Sequence, residues 1–219
     1  MEAGLFKLIG IGIFETLYMT LGSTLLAYVI GLPLGVILNA TDRGGVWEKK
    51  WLNSILGFVV NFLRSVPFII LLIWVLPVTR AIVGTTIGSN ATVVPLVIAA
   101  APFVARMVES SLKEVDAGVI EAAHAMGASP LQIITKVLLP EALPSLVVGS
   151  SIAVTTILGY SAMAGFTGGG GLGAIAINYG YYRYQDDVML ITVILLVIIV
   201  QILQELGMRC AKASDKRTR

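Results

Sequence analysis

"EAAHAMGASPLQIITKVLLP", residues 121–140, stands apart from the chain around it. The segments on either side are apolar enough for lipid. This one carries Glu121, His124, Ser129, Gln132 and Lys136, at helical spacing. Residues 118–126 read as one helical stretch, with Ile120, Ala123 and Gly127 along a small-sided face. Gly127 ends it, because glycine adopts the left-handed C-terminal conformation without steric cost. Ser129 and Pro130 restart the helix as N-cap and first helical residue. Leu131, Ile134, Val137 and Leu138 then continue an apolar stripe. The reading is two short helices about a glycine bend, outside the bilayer. Ala122, Ala123, Ala125, Gly127 and Ala128 permit close approach by another body, which suits a plug for a protein groove. A helix lying on lipid would need bulky apolar residues and a Lys/Arg-rich polar face, and "EAAHAMGA" has neither.

Working outward, the 219 residues are 57% hydrophobic and only 13% charged, where soluble domains run near a quarter charged. The mean hydropathy is +0.90. Five apolar segments approach the ~20 residues needed to cross hydrocarbon. They cover roughly 13–38, 55–76, 91–109, 143–164 and 188–208. Long Leu/Ile/Val runs exclude a β-barrel, whose strands alternate. The expected fold is all-α: a polytopic membrane protein of about five transmembrane helices. It forms one domain over 1–219, with its core at about 13–208, a cytoplasmic loop at about 110–142 and a tail at 209–219.

Lys and Arg in the connections set the orientation. Ten (Arg43, Lys49, Lys50, Lys113, Lys136, Arg209, Lys212, Lys216, Arg217 and Arg219) fall on one side, against Lys7, Arg80 and Arg183 on the other. The expectation is a cytoplasmic C-terminus and an outside N-terminus. "MEAGLFKLIG" lacks a basic region and cleavage site, so it reads as retained. Arg64 and the pair Arg106/Glu109 are the notable intramembrane charges. The pair, at i,i+3 spacing, is accounted for by a local ion pair, and Arg64, toward the cytoplasmic half of its span, by snorkelling. Pro33, Pro67, Pro77, Pro95 and Pro102 are frequent for helix interiors and fit a protein that moves or lines a cavity.

Chemistry of its own is not expected. A net charge of +2 without a basic patch argues against nucleic acid. The single Cys210 excludes a multi-cysteine metal site, and the single His124 removes most histidine-based zinc and catalytic arrangements. "GGGGLG" satisfies G-x-G-x-x-G at Gly168, Gly170 and Gly173, but it follows a span rather than a strand, so it reads as a flexible turn with close backbone approach. There is no G-x-x-x-x-G-K-[ST], no G-x-S-x-G and no H-E-x-x-H. The chain is not expected to be an enzyme.

Glu121-Ala122-Ala123, three residues, Gly127, nine residues, then Val137-Leu138-Leu139-Pro140 resembles the E-A-A loop of ABC importer permeases, E-A-A-x3-G-x9-I-x-L-P, with Val137 for the isoleucine. "RSVPFIILLIWVLPVTR", "AAPFVARMVESSL" and "GYSAMAGFTGGGGLG" are similar to the methionine-importing branch of that family. The resemblance implies a homodimer in the bacterial inner membrane and two cytoplasmic ATPase subunits that hold ATP and Mg. It also implies an extracytoplasmic methionine-binding lipoprotein or periplasmic protein. No cofactor is implied on this chain. Glu121, Ala122, Ala123, Gly127, Leu139 and Pro140 are the positions expected to couple to the ATPase. Tyr160, Ser161 and Met163, near the outer end of the fourth span, are candidates for the substrate path or gate. The alternatives are a permease of this kind for other amino acids or small solutes, and a secondary transporter or channel working alone, for which an inverted repeat is expected.

Overall fold

The computed structural model describes residues 2–214. The basic tail residues Lys216, Arg217 and Arg219 lie outside the described residues. Helix follows helix: α1 Glu2–Thr41, α2 Lys50–Ser65, α3 Phe68–Trp74, α4 Leu76–Val83, α5 Ser89–Lys113, α6 Ala117–Ala125 and α7 Pro130–Ile133. A π turn at Ile134–Leu138 leads into α8 Leu139–Glu141 and α9 Leu143–Met163. A 3-10 turn, Ala164–Thr167, precedes α10 Gly171–Ile175, and a π turn, Ala176–Tyr181, leads to α11 Asp186–Ser214. Among the described residues there is no strand, in agreement with the all-α expectation.

The core lies where α1, α5 and α9 cross. Met19, Ala27, Leu96, Ala100, Val104, Val108, Ala153 and Ile157 form one buried cluster. Glycine makes the closest crossing possible. A Cβ on Gly31 would stand 2.7 Å from the Ala101 carbonyl oxygen, and one on Gly35 would stand 2.6 Å from Val108 Cβ. Small residues at helix contacts substitute for the hydrophobic drive that lipid cannot supply. A second cluster, Leu158, Leu172, Ile175, Val188 and Ile199, joins α9, α10 and α11.

Two expectations from sequence need correction. The second span is not one helix over 55–76. α2 and α3 meet at 102°, with Val66 extended (ψ 124°) and Pro67 capping α3. The described residues therefore hold four helices long and apolar enough to cross, or five with the bent pair counted as one span. The glycine run is not an open flexible turn either. Gly169, Gly171 and Gly173 are buried. A Cβ on Gly169 would meet Thr92 Oγ1 at 2.7 Å, so the close backbone approach expected of this run is present, in a packed setting. The other prolines behave mildly: Pro33, Pro95 and Pro102 stay inside continuous helices, and Pro77 sits in the first turn of α4.

Candidate functional site

The loop at 116–142 is built by its caps. Asp116 Oδ1 accepts from the Gly118 amide at 2.8 Å, so α6 starts one turn-defining residue earlier than Gly118 alone indicates. At the other end Gly127 has φ +77°. The Ala128 amide donates to the Ala123 carbonyl at 3.1 Å and the Gly127 amide to the His124 carbonyl at 2.9 Å. This is the Schellman arrangement that a left-handed glycine closes. Ser129 then forms a reciprocal capping box with Gln132: the Ser129 amide donates to Oε1 at 2.8 Å and the Gln132 amide to Ser129 Oγ at 3.4 Å.

The two sides of this knuckle differ. Ala123, Ile133 and Leu138 are buried and pack with Leu112 and Val115 at the end of α5 and Ala142 before α9. Glu121, Ala122, Gly127 and Pro140 are exposed, and Leu139 is half-buried. Ala123 therefore faces the body of the helix bundle instead of offering a small surface outward. Met126, 82% exposed, and Leu131, 70% exposed, supply the outward apolar surface. The sequence reading did not single out Met126, and it placed Leu131 in one apolar stripe with Leu138, from which the structure separates it.

Behind the knuckle a charged network ties α1, α2 and α5 together. Glu109 is buried and paired with Arg106, and its other oxygen accepts from Lys113 Nζ at 2.8 Å. Lys113 also reaches Asp42 at 2.8 Å. Arg106 donates to the Gly57 carbonyl and to Asn61 Oδ1, each at 3.2 Å. The i,i+3 pair expected from sequence is present, and it is one link in a network. A buried carboxylate is tolerated only when its oxygens are so engaged. The hydrogen bond from Lys113 holds the Asp42 carboxyl below the usual carboxylate range.

The three candidate path residues are not brought together. Tyr160 stacks on Phe68, with ring centroids 4.4 Å apart and planes 5° apart. Ser161 is buried, its hydroxyl donating to the Leu158 carbonyl of its own helix at 2.8 Å. Met163 is 48% exposed and stands apart. Tyr160 alone borders a cavity of about 190 Å³ beside the α2–α3 bend, with Arg64, Phe68, Ala99 and Phe103 among its walls.

Glu15 was missed in the sequence reading, although a carboxylate in an apolar span is a signal in itself. Its Oε2 accepts from the Gly171 amide at 2.7 Å, while Thr16 Oγ1 accepts from the Leu172 amide at 2.9 Å. Together they satisfy the first amides of α10, which would otherwise be unpaired in an apolar setting.

Residues 31–219 match the family described as "Binding-protein-dependent transport system inner membrane component". A probable D-methionine transport system permease protein MetI of Vibrio cholerae is 51% identical over 203 residues, which cover 93% of this chain and 90% of that one. Its counterpart in Pasteurella multocida is 46% identical over 217 residues, covering 99% of this chain and 100% of the relative. A solved chain from "Inward facing conformations of the MetNI methionine ABC transporter" superposes with a TM-score of 0.97 at 49% identity, over 99% of this chain and all of the other. A chain of an amino acid ABC transporter, 17% identical with a TM-score of 0.81 and covering 97% of this chain and 96% of that one, shares the fold. On the match over residues 31–219 and these whole-length relatives, the chain belongs to the family of inner membrane components of binding-protein-dependent transport systems.

Proposed function

We propose that this chain is the permease subunit of an ATP-driven importer that carries methionine across the cytoplasmic membrane by alternating access. The whole-length relatives are named for D-methionine transport, which supports the substrate. Two copies of the chain form the path, and two cytoplasmic ATPase subunits, which hold ATP and Mg, bind beneath. An extracytoplasmic methionine-binding protein delivers the solute. Residues 1–219 act as one permease domain. The distribution of Lys and Arg supports an outside N-terminus and a cytoplasmic C-terminus.

One observation carries the coupling role. The knuckle at 116–140 presents Glu121, Ala122, Met126, Gly127 and Leu131 outward while Ala123, Ile133 and Leu138 fasten it to α5 and α9. A body docked on the outer side therefore pushes on the span ends through packed side chains. ATP binding shifts the permease because the ATPase pair has different affinities for ATP in its two arrangements. Glu121, Ala122 and Gly127 meet the ATPase, and Ala123, Leu139 and Pro140 hold the knuckle's shape. Proteoliposomes holding the chain and its ATPase should accumulate labelled methionine only with ATP and the binding protein. Uptake that continues without any ATPase would replace this reading with a stand-alone transporter. Competition by a panel of amino acids decides the substrate. Gly127→Asp should abolish uptake, and intact uptake and ATPase association in that variant would remove the coupling role.

A further inference from the structure

α2 and α5 each contribute one arginine to the same region, and the two fare differently. Arg106 is fully engaged by Glu109, Gly57 and Asn61. Arg64 is exposed, and among the described residues its guanidinium has no carboxylate or other hydrogen-bond acceptor. Arg64 stands in the last turn of α2, at the bend into α3. An arginine within an apolar helix pair is a functional candidate by default, and its partner is sought in the space beside it.

The cavity is there. Arg64 borders the space of about 190 Å³ at the α2–α3 bend, walled by Phe68, Tyr160, Phe103 and Ala99. Phe68 and Tyr160, stacked on each other with ring centroids 4.4 Å apart, give it an aromatic wall. Tyr160 makes no hydrogen bond through its hydroxyl among the described residues. Sites for drug-sized ligands run to roughly 300–1,000 Å³, so this one is scaled to something smaller. A guanidinium matches a carboxylate with two parallel hydrogen bonds. Aromatic edges favour a thioether sulfur.

We infer that Arg64 receives the carboxylate of the transported amino acid inside the permease, with the Phe68–Tyr160 wall taking its apolar side chain. This inference rests on the methionine reading above and adds an acceptor site to it. The test uses the permease–ATPase complex in discs of neutral lipid, without the binding protein. Binding of methionine is compared with binding of methioninol, which lacks the carboxylate. Methionine should bind at least about tenfold more tightly, because a site built to pair a group rejects the analogue without it. Arg64→Gln should remove that discrimination, and Arg64→Lys should restore part of it. Ala99→Leu, which fills the cavity without touching the charge, should weaken both ligands alike. Co-elution of each variant with the ATPase shows that it has folded.

The inference is overturned if wild type shows no saturable methionine binding, if methionine and methioninol bind equally, or if Arg64→Gln binds methionine like wild type. In those cases Arg64 serves a lipid headgroup or solvent. Labelled uptake by the wild-type complex with its binding protein is the separate check on the substrate. If uptake is present while the binding arm fails, the acceptor site alone falls. If methionine uptake is absent, the methionine reading and the inference built on it fall together.

Discussion

The carboxylate of Glu15 on α1 accepts a hydrogen bond from the amide of Gly171 at 2.7 Å, across 156 positions of sequence. This contact fastens the glycine-rich end of the fold to its first helix. The neighbouring amide, Leu172, is held by Thr16. Replacing Glu15 with alanine leaves the Gly171 amide without its acceptor, a loss of about 1–3 kcal/mol for a hydrogen bond to a charged group. Thermal unfolding of detergent-solubilised protein should show Glu15→Ala well below wild type and Glu15→Gln, which keeps an acceptor oxygen, between them. Equal melting of all three would dissociate this contact from stability.

The left-handed conformation of Gly127 predicts a graded series. A side chain with a branched β-carbon pays about 1–2 kcal/mol there, while asparagine visits that region readily. Gly127→Asn should keep more ATP-dependent uptake than Gly127→Val. If the two variants are indistinguishable, the bend is not held by backbone conformation.

The α1–α5 crossing allows no extra atom. Gly35→Ala places its new carbon 2.5 Å from the Ala105 carbonyl oxygen, so the helices must separate, at about 1–3 kcal/mol for overpacking. Gly22, with nothing within 4 Å of an added Cβ, is the matched control. Gly22→Ala should melt like wild type or slightly above it, since alanine favours helix.

Asp42 supplies a pH signature. Lys113 lowers its pKa in the folded protein, so its contribution to stability is present above the unfolded carboxylate value of about 3.9. That contribution disappears as pH falls through the lower folded value. Asp42→Asn should be less stable than wild type at neutral pH, and the difference should close as the solution is acidified below about pH 4. Denaturation monitored by circular dichroism across that range decides it. A gap that stays constant with pH would assign the effect to packing.

How far the sequence could be read is clearest at the prolines. Pro33, Pro67, Pro95 and Pro102 occupy similar apolar contexts, yet only Pro67 stands at a break. The residue before a proline is pushed toward extended backbone. Val66 yields to that push, whereas the residues before the other three remain helical because α1 and α5 are gripped along their length by each other. That grip is tertiary, so the bend was not legible in residues 55–76. The knuckle was legible because its signals are local: Gly127, Ser129, Pro130 and Gln132 act within a few residues of each other. Which way Ala123 would face was not, because that depends on Leu112, Val115 and Ala142, which approach only in the fold. Glu15 did carry a local signal, a carboxylate in an apolar span, but its partner Gly171 is 156 positions away and was not legible.

Gly31 and Gly35 bring α1 against α5 so closely that neither helix can slide past the other without lifting Val104 and Val108 out of their seats. The knuckle begins just beyond α5, at Val115 and Asp116. A displacement delivered there is therefore taken up by two fused rods, one of them about 60 Å long. The stiffness of that beam, rather than any single contact along it, sets how much of a small stroke at the knuckle survives to the far end, where Glu15 holds Gly171.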